Sequence, residues 1–328
     1  MKADAIFEGG GIKVVGLVGA FSVAEKRGYR FHSLAGTSAG ALLASLLAAG
    51  YTADELRDIV MGKDFSTFLA SSWYDRIPYV GSHTFRFIRM CCRKGFYSGN
   101  RFEKWLQDLL AAKKIYTFSD LPPDISLSIV ASDITRGRLL LLPEGVKEYG
   151  GFPEKMSVAR AVRMSCSIPF LFDPVRLTHY PTSTTSYVVD GGILSNFPVW
   201  IFDRNPPRWP TFGFRFVSGQ RRSVQVVRGP LALLRSVVYT MINAHDDRCV
   251  DEQELLRTIE VPSMDIKVTD FSLSPSRKHD LYQAGVEAAE NFFKNWSFVN
   301  YITVMRRRTS LRGCIRGKNY QGVMKKWI

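Results

Sequence analysis

The chain of 328 residues lacks any long hydrophobic run. Its longest candidate, AGALLASLLAAG, is much shorter than the roughly 18 apolar residues that a membrane-spanning helix needs. Cysteine is also scarce, because the five cysteines are scattered and do not have the spacing of metal ligands. These absences argue against an integral membrane protein, a disulfide-stapled secreted domain and a cysteine metal site. They predict reduced thiols in a cytoplasmic protein.

Two further absences concern the ends of the sequence. The opening MKADAIFEGGG contains no apolar segment of the secretory kind, which again favours a cytoplasmic location. Residues 301–328 contain no acidic side chain but eight Lys and Arg, more than half of the net charge of +14. A basic tail is typical of contact with anionic lipid head groups or nucleic acid, although a solvated segment can have the same composition. No DNA-reading module is recognisable, so we expect no specific nucleic-acid partner.

What the sequence does contain is an alternation of short apolar strands and helical segments. ADAIF and Phe31–Ala35 have the pattern of buried strands, and each is followed by a glycine-containing turn and a helical segment. Residues 100–112 have a helical pattern, and Ser274 followed by Pro275 predicts the start of a helix that reaches about Asn295. This order predicts an α/β fold with a mostly parallel central sheet. Without an internal repeat or a linker, it favours one domain over residues 1–298 and a separate tail over residues 299–328.

The pentapeptide GTSAG, residues 36–40, lies between the second strand and a helix rich in Ala and Leu. A serine between small residues at such a strand-to-helix turn is typical of a nucleophile elbow. The turn requires small residues two positions on either side of the serine, which Gly36 and Gly40 provide. Ser38 is therefore the candidate nucleophile of an acyl-transfer reaction.

The segment EGGGIK, residues 8–13, follows the first strand and precedes a helix. Consecutive glycines expose backbone N–H groups that can bind a developing oxyanion. A dinucleotide-binding loop is the competing interpretation, but Val14 stands where that fingerprint needs glycine, and the chain has no P-loop lysine at the required spacing.

A serine nucleophile also needs a base, and the sequence leaves two arrangements open. Asp190 ends the strand YVVD and precedes Gly191 and Gly192, so its carboxylate would lie at a sheet edge in a glycine turn, where burial could raise its pKa. A conventional Ser-Asp-His order, with His245 or His279, is also permitted.

Taken together, GGGIK, GTSAG and the later DGG resemble the three signatures of the patatin-like phospholipases, lipid acyl hydrolases that use a Ser-Asp dyad. The segments SVARAVRMSCSIPFLFDPV and RTIEVPSMDIKVTDFSLSPSRKHDLYQAG are also similar to that family, so that the resemblance covers roughly residues 3–296. The resemblance implies a three-layer sandwich with helices on both faces of the sheet. It implies no cofactor and no metal, and an acyl-lipid substrate such as a glycerophospholipid.

The resemblance also implies residue roles. Ser38 would be the nucleophile and Asp190 the base, and the oxyanion hole would comprise backbone groups of Gly9, Gly10, Gly11 and Ala39. The supporting residues would be Lys13, Gly36, Gly40, Gly191 and Gly192. One departure is Val14, because the family usually has glycine after the basic residue of this loop.

Two further segments carry weaker signals. Residues 61–97 include a basic amphipathic stretch with Trp and Tyr, which is typical of a lid or membrane-facing insertion but also of a helical insertion packed on the core. HDDRCVDEQE, residues 245–254, has the composition of a solvated helix face more than of a metal site. We therefore expect a cytoplasmic lipid acyl hydrolase with peripheral contact to an anionic inner membrane surface. A non-catalytic membrane-binding or regulatory protein with the same fold is the alternative.

Overall fold

The computed structural model describes residues 1–69, 90, 92–180, 182–204, 207–217, 227, 229, 233, 236–238, 240–241, 252–268 and 270–305. Its helices are α1 (Val14–Lys26), α2 (Ala39–Ala48), α3 (Ala53–Gly62), α4 (Asn100–Ala112), α5 (Val158–Ser165), α6 (Glu252–Leu255) and α7 (Pro275–Asn295). Its strands are β1 (Lys2–Phe7), β2 (Arg30–Thr37), β3 (Gly95–Tyr97), β4 (Ser126–Asp133), β5 (Arg138–Leu142), β6 (Phe170–Phe172), β7 (Val175–His179), β8 (Thr184–Asp190), β9 (Thr211–Val217) and β10 (Thr258–Pro262).

Local sequence signals explain where several helices begin. Thr52 and Glu55 form a capping box in which each side chain bonds to the backbone of the other residue, and α3 starts at the next position. The hydroxyl of Ser274 accepts from the N–H of Arg277, and Pro275 is the first residue of α7. The helices predicted over residues 100–112 and 275–295 begin and end at the predicted residues.

The main sheet has the strand order β10-β9-β1-β2-β4-β8-β7, and β5 also pairs with β4. The five strands from β10 to β4 are parallel to one another, whereas β8, β7 and β5 join by antiparallel pairing. This mixed α/β sheet, with helices on both sides, confirms the predicted fold class. The antiparallel strands at one edge were not expected from the sequence.

Both faces of the central parallel strands β1 and β9 are buried, as is typical of parallel sheets. Along β1, Phe7 points to the face covered by α1, where its ring stacks on Phe214 of β9 with centroids 4.8 Å apart. Ile6 points to the opposite face, where it packs with Ala35 and Val199. The side chains at the ends of these strands are therefore held between two packed layers.

Helices α1 and α7 pack with their backbones in close contact. A Cβ on Gly19 would lie closer than 3.0 Å to the carbonyl oxygen of Tyr282, and one on Gly285 would be equally close to that of Gly16. This contact fixes α1, and with it the glycine loop at its N-terminus.

The proposed lid and tail lie mostly outside the described residues. Of residues 61–97, the two flanks are described: Phe65 and Phe68 are buried, and β3 pairs with β6. Of residues 299–328, the first seven are described, and Tyr301 and Met305 are buried. The domain limits of 1–298 and 299–328 stay a prediction.

Candidate active site

Ser38 occupies the turn between the end of β2 and the start of α2. Its φ of 52° and ψ of −123° lie in a region that residues other than glycine rarely adopt. The flanking glycines allow the turn, because a Cβ on Gly36 would lie closer than 3.0 Å to the carbonyl of Gly40, and a Cβ on Gly40 would be as close to the carbonyl of Phe7. Ser38 is thus placed on a tight elbow at the N-terminus of α2.

The side chains of Ser38 and Asp190 meet, although 152 positions separate them in the chain. The hydroxyl of Ser38 donates to Oδ2 of Asp190 over 2.6 Å. The sheet register explains the meeting, since Thr37 pairs with Val130 on one side of β4 and Asp190 pairs with Ala131 on the other. The ends of β2 and β8 therefore lie on either side of the same point of β4.

The carboxyl group of Asp190 is buried and held by backbone groups. Its Oδ1 accepts from the N–H of Gly192 over 2.8 Å. Burial raises the pKa of Asp190 from 3.8 to about 6, although the hydrogen bonds from Ser38 and Gly192 act in the opposite direction. A carboxylate with this pKa is mainly ionised at neutral pH and is a stronger base than an exposed aspartate.

The turn after Asp190 is packed against the strand ends that surround the elbow. A Cβ on Gly191 would lie closer than 3.0 Å to the carbonyl oxygen of Val130 and to the side chain of Thr37. The hydroxyl of Thr37 also donates to the carbonyl of Ser195 over 3.2 Å. Glycine is therefore required at position 191 for the base to approach the nucleophile.

The glycine loop lies beside the elbow and is fixed by two polar side chains. The buried carboxylate of Glu8 accepts from the amide of Asn196 over 3.2 Å and from the N–H of Phe216. The same amide donates to the carbonyl of Gly9 over 3.2 Å. The loop has no room for side chains, because a Cβ on Gly9 would lie closer than 3.0 Å to Asn196, and one on Gly10 would be as close to Phe216.

Gly11, Lys13 and Val14 complete this edge of the site. Gly11 has a φ of +58°, and its missing Cβ leaves space for the carbonyl of Val268. The ammonium of Lys13 is buried, 4.6 Å from the ring centroid of Phe216, a cation–π contact beneath the loop. Val14 starts α1 and lines the adjacent pocket, so the departure from the family pattern adds an apolar side chain to the pocket wall.

An apolar pocket adjoins the elbow. Ser38 and Ala39 contribute to its wall, and most of the remaining lining is hydrophobic, including five phenylalanines: Phe65, Phe68, Phe102, Phe172 and Phe271. Such a lining fits a hydrocarbon chain better than a polar substrate. The two buried residues from the flank of the proposed lid, Phe65 and Phe68, are among the lining side chains.

Three consecutive residues that the sequence did not single out, Ser165 to Ser167, also lie against Ser38 and Asp190. Ser165 accepts from the N–H of Ser38, and the carbonyl of Ser167 accepts from the N–H of Asp190. Cys166 lies between them, and burial together with the charge of Asp190 raises the pKa of its thiol well above the usual value. The thiol is therefore neutral and does not compete as a nucleophile. The sequence signals for this turn are its position at the end of a short helix and its place in the segment SVARAVRMSCSIPFLFDPV.

The histidines do not form a triad in the described part of the chain. His32 contacts the carbonyl of Asp124, His179 contacts Thr182, and His279 is exposed on α7. His83 and His245 lie outside the described residues, as does most of the HDDRCVDEQE segment. Among the described residues, no group of three or more side chains could hold a metal ion. None of the described helices is long and apolar enough to cross a membrane.

Comparison with known proteins identifies the family of the chain. The family model for "Patatin-like phospholipase" matches residues 5–203. The uncharacterized protein YqhO of Bacillus subtilis (strain 168) is 39% identical over 300 residues, which are 91% of this chain and all of YqhO. The "Probable lipid hydrolase 463L" of invertebrate iridescent virus 6 is 23% identical over 199 residues, 59% of this chain and 61% of that protein.

A solved structure shares the fold. VipD from Legionella pneumophila superimposes with a TM-score of 0.53 at 17% sequence identity, over 89% of this chain and 66% of VipD. The chain thus spans a little less than two thirds of this structure's length.

Proposed function

Because the chain belongs to the patatin-like phospholipase family, we propose that it is a lipid acyl hydrolase of the phospholipase A type, with Ser38 and Asp190 as its catalytic dyad. The observation that carries the proposal is the 2.6 Å hydrogen bond from the Ser38 hydroxyl to the buried Asp190 carboxylate, beside an apolar pocket. A hydroxyl oriented toward a base of raised pKa is the arrangement that an activated serine requires.

In the first half of the reaction, Oγ of Ser38 attacks the carbonyl carbon of the ester, and its proton passes to Asp190. The tetrahedral intermediate then collapses, the bond to the alcohol oxygen breaks, and Asp190 returns the proton to the leaving alcohol. The acyl group remains on Ser38. No cofactor or metal is needed for these steps, because the carboxylate alone carries the proton in both directions.

Backbone N–H groups stabilise the oxyanion in this proposal. Helix α2 begins at Ala39, so the N–H of Ala39 has no acceptor within the helix and carries the positive end of the helix dipole. The glycine loop supplies the others, from Gly10 and Gly11, with Gly9 anchoring the loop to Asn196. Fixed donors of this kind are typically worth about 10²–10³ in kcat each.

In the second half, water attacks the acyl group on Ser38, and Asp190 takes the proton of the water. Collapse of the second tetrahedral intermediate releases the fatty acid and returns the proton to Ser38. The net reaction consumes one ester and one water and yields one alcohol and one fatty acid.

The pocket supports the choice of substrate class. Its phenylalanines would bury the hydrocarbon chain of a glycerophospholipid or related acyl ester, and removal of apolar surface from water contributes about 25 cal/mol per Å². Lys13 is largely buried against Phe216, so in this proposal it supports the glycine loop.

The proposal places the protein in the cytoplasm, in peripheral contact with an anionic inner membrane surface. Residues 61–97 would act as a lid, as the packing of Phe65 and Phe68 at the pocket supports, and the basic residues after position 305 would bind lipid head groups. Tyr301 accepts a hydrogen bond from the N–H of Thr211, at the end of the parallel strands opposite Ser38. The 23 residues that follow Met305 could extend at most about 80 Å, enough to reach past the roughly 25 Å length of a strand such as β2.

A fluorophosphonate probe tests the dyad. We expect the probe to label wild-type protein at Ser38, and we expect Ser38→Ala and Asp190→Asn to abolish labelling. Ser45→Ala is the matched control, because Ser45 is a buried serine of α2 whose hydroxyl bonds only to the carbonyl of Leu42 nearby.

The outcomes separate the alternatives. Absence of labelling in folded wild-type protein would favour a non-catalytic patatin-like protein. Loss of labelling in His245→Ala or His279→Ala would indicate a triad. Lipid mass analysis of cells expressing wild type or Ser38→Ala would then identify the head group and acyl chain that the enzyme prefers.

A further inference from the structure

The backbone of Ser38 needs an external constraint. Its φ of 52° is a conformation that a non-glycine residue keeps only where its surroundings hold it. The elbow glycines remove steric obstacles, but they do not bind the N–H of Ser38. Since Ser38 is buried, that N–H also needs an acceptor within the protein.

Ser165, the last residue of α5, supplies this acceptor. The N–H of Ser38 donates to Oγ of Ser165 over 2.8 Å, and the hydroxyl of Ser165 donates to the carbonyl of Val130 over 2.5 Å. Ser165 is fully buried, so neither bond competes with water. Val130 lies on β4 and pairs with Thr37, the residue before the nucleophile. Ser165 therefore links the elbow to the strand that also pairs with the strand of Asp190.

The same turn of chain holds the base. Two residues after Ser165, the carbonyl of Ser167 accepts from the N–H of Asp190 over 2.9 Å. Residues 165–167 thus bind the backbone of both members of the dyad, so one short segment links their positions.

We propose that Ser165 is a positioning residue for the reaction, which holds the nucleophile's backbone so that its hydroxyl meets the Asp190 carboxylate. This inference rests on the proposed dyad chemistry. It also assigns the N–H of Ser38 to Ser165, which leaves the oxyanion to the N–H groups of Ala39 and the glycine loop. Ser165 itself touches neither the reacting atoms nor the substrate.

Ser45 provides a matched control. It is as fully buried as Ser165, but its hydroxyl donates to the carbonyl of Leu42 over 2.8 Å, one turn earlier in α2. Ser45→Ala therefore removes one buried hydroxyl without removing either link to the dyad.

The test compares wild type, Ser165→Ala, Ser165→Cys and Ser45→Ala. Each would be assayed for fluorophosphonate labelling and for kcat and KM with a p-nitrophenyl ester. Rates would be normalised to the folded fraction by circular dichroism. We expect Ser165→Ala to lower the labelling rate and kcat about 10- to 100-fold with KM nearly unchanged, because a small misplacement of a reacting group has effects of this size. Ser165→Cys, which keeps a weak acceptor, should be intermediate, and Ser45→Ala should stay within about twofold of wild type.

The pH profile separates positioning from a change in the base. The midpoint of the labelling rate should be the same in Ser165→Cys and wild type, because Ser165 does not contact the carboxylate. A normalised Ser165→Ala rate equal to that of Ser45→Ala would overturn the inference. If Ser165→Ala does not fold, a wild-type rate in Ser165→Cys would overturn it equally. Absence of wild-type labelling, or labelling that persists in Ser38→Ala, would refute the dyad itself.

Discussion

Replacing Asp190 by Asn should stabilise the folded protein near pH 8 while it abolishes labelling. A pKa of about 6 against an ordinary value of 3.8 means that folding disfavours the ionised carboxyl, by about 3 kcal/mol. Because the folded-state pKa is raised, the protonated carboxyl of Asp190 contributes to the free energy of unfolding below about pH 4. This contribution is lost as pH rises through about 6. Asn carries no charge and can still accept the N–H of Gly192, so it avoids this loss.

The assay is urea unfolding of both proteins between pH 4 and pH 8. We expect nearly equal free energies of unfolding at pH 4, and an advantage of about 1–3 kcal/mol for Asp190→Asn at pH 8. Other groups that titrate in this range are common to both proteins, so their contributions cancel in the difference. A difference that does not change with pH would refute the reasoning, because Asp190 would then not have a raised pKa in the folded state.

Three further predictions concern the base, the elbow and the basic tail. The labelling rate of wild type should fall as pH decreases through about 6 and be level above about pH 7, since only the ionised Asp190 accepts the proton. A labelling rate that is constant down to pH 5 would contradict this prediction. Gly40→Ala should destabilise the protein by more than about 3 kcal/mol in urea unfolding, because the added Cβ would overlap the carbonyl of Phe7. Gly62→Ala is the control and should be neutral or stabilising, because a Cβ at position 62 would contact no neighbouring atom. Removal of residues 306–328 should weaken binding to anionic vesicles at low salt but not to neutral ones, and unchanged binding in a flotation assay would exclude the membrane role of the tail.

The sequence was most informative where the chemistry depends on adjacent residues. Ser38 and Asp190 could be identified because an elbow and a glycine turn each impose small residues at fixed positions. The start of α7 could be predicted because its cap is a local hydrogen bond of Ser274, and Thr52 caps the start of α3 in the same local way.

What could not be predicted depends on contacts between distant residues. Ser165 is 127 positions from Ser38, and Asn196 is 188 positions from Glu8, so no local pattern indicates either pair. Lys278 is a further example, because its buried ammonium donates to the carbonyls of Val60 and Met61, at the end of α3. β8 was predicted as the strand YVVD, but the antiparallel pairing of β5, β7 and β8 escaped prediction, since pairing direction depends on the path of the chain between the strands.

The central claim is that Ser38 carries the acyl group during turnover. It is tested most directly by peptide mass spectrometry of protein quenched in acid while it hydrolyses a medium-chain p-nitrophenyl ester. We predict the acyl group on the peptide that contains Ser38, at Ser38 itself, and no acylation and no hydrolysis in Ser38→Ala. An acyl group on another residue, or hydrolysis that persists in folded Ser38→Ala, would contradict the claim.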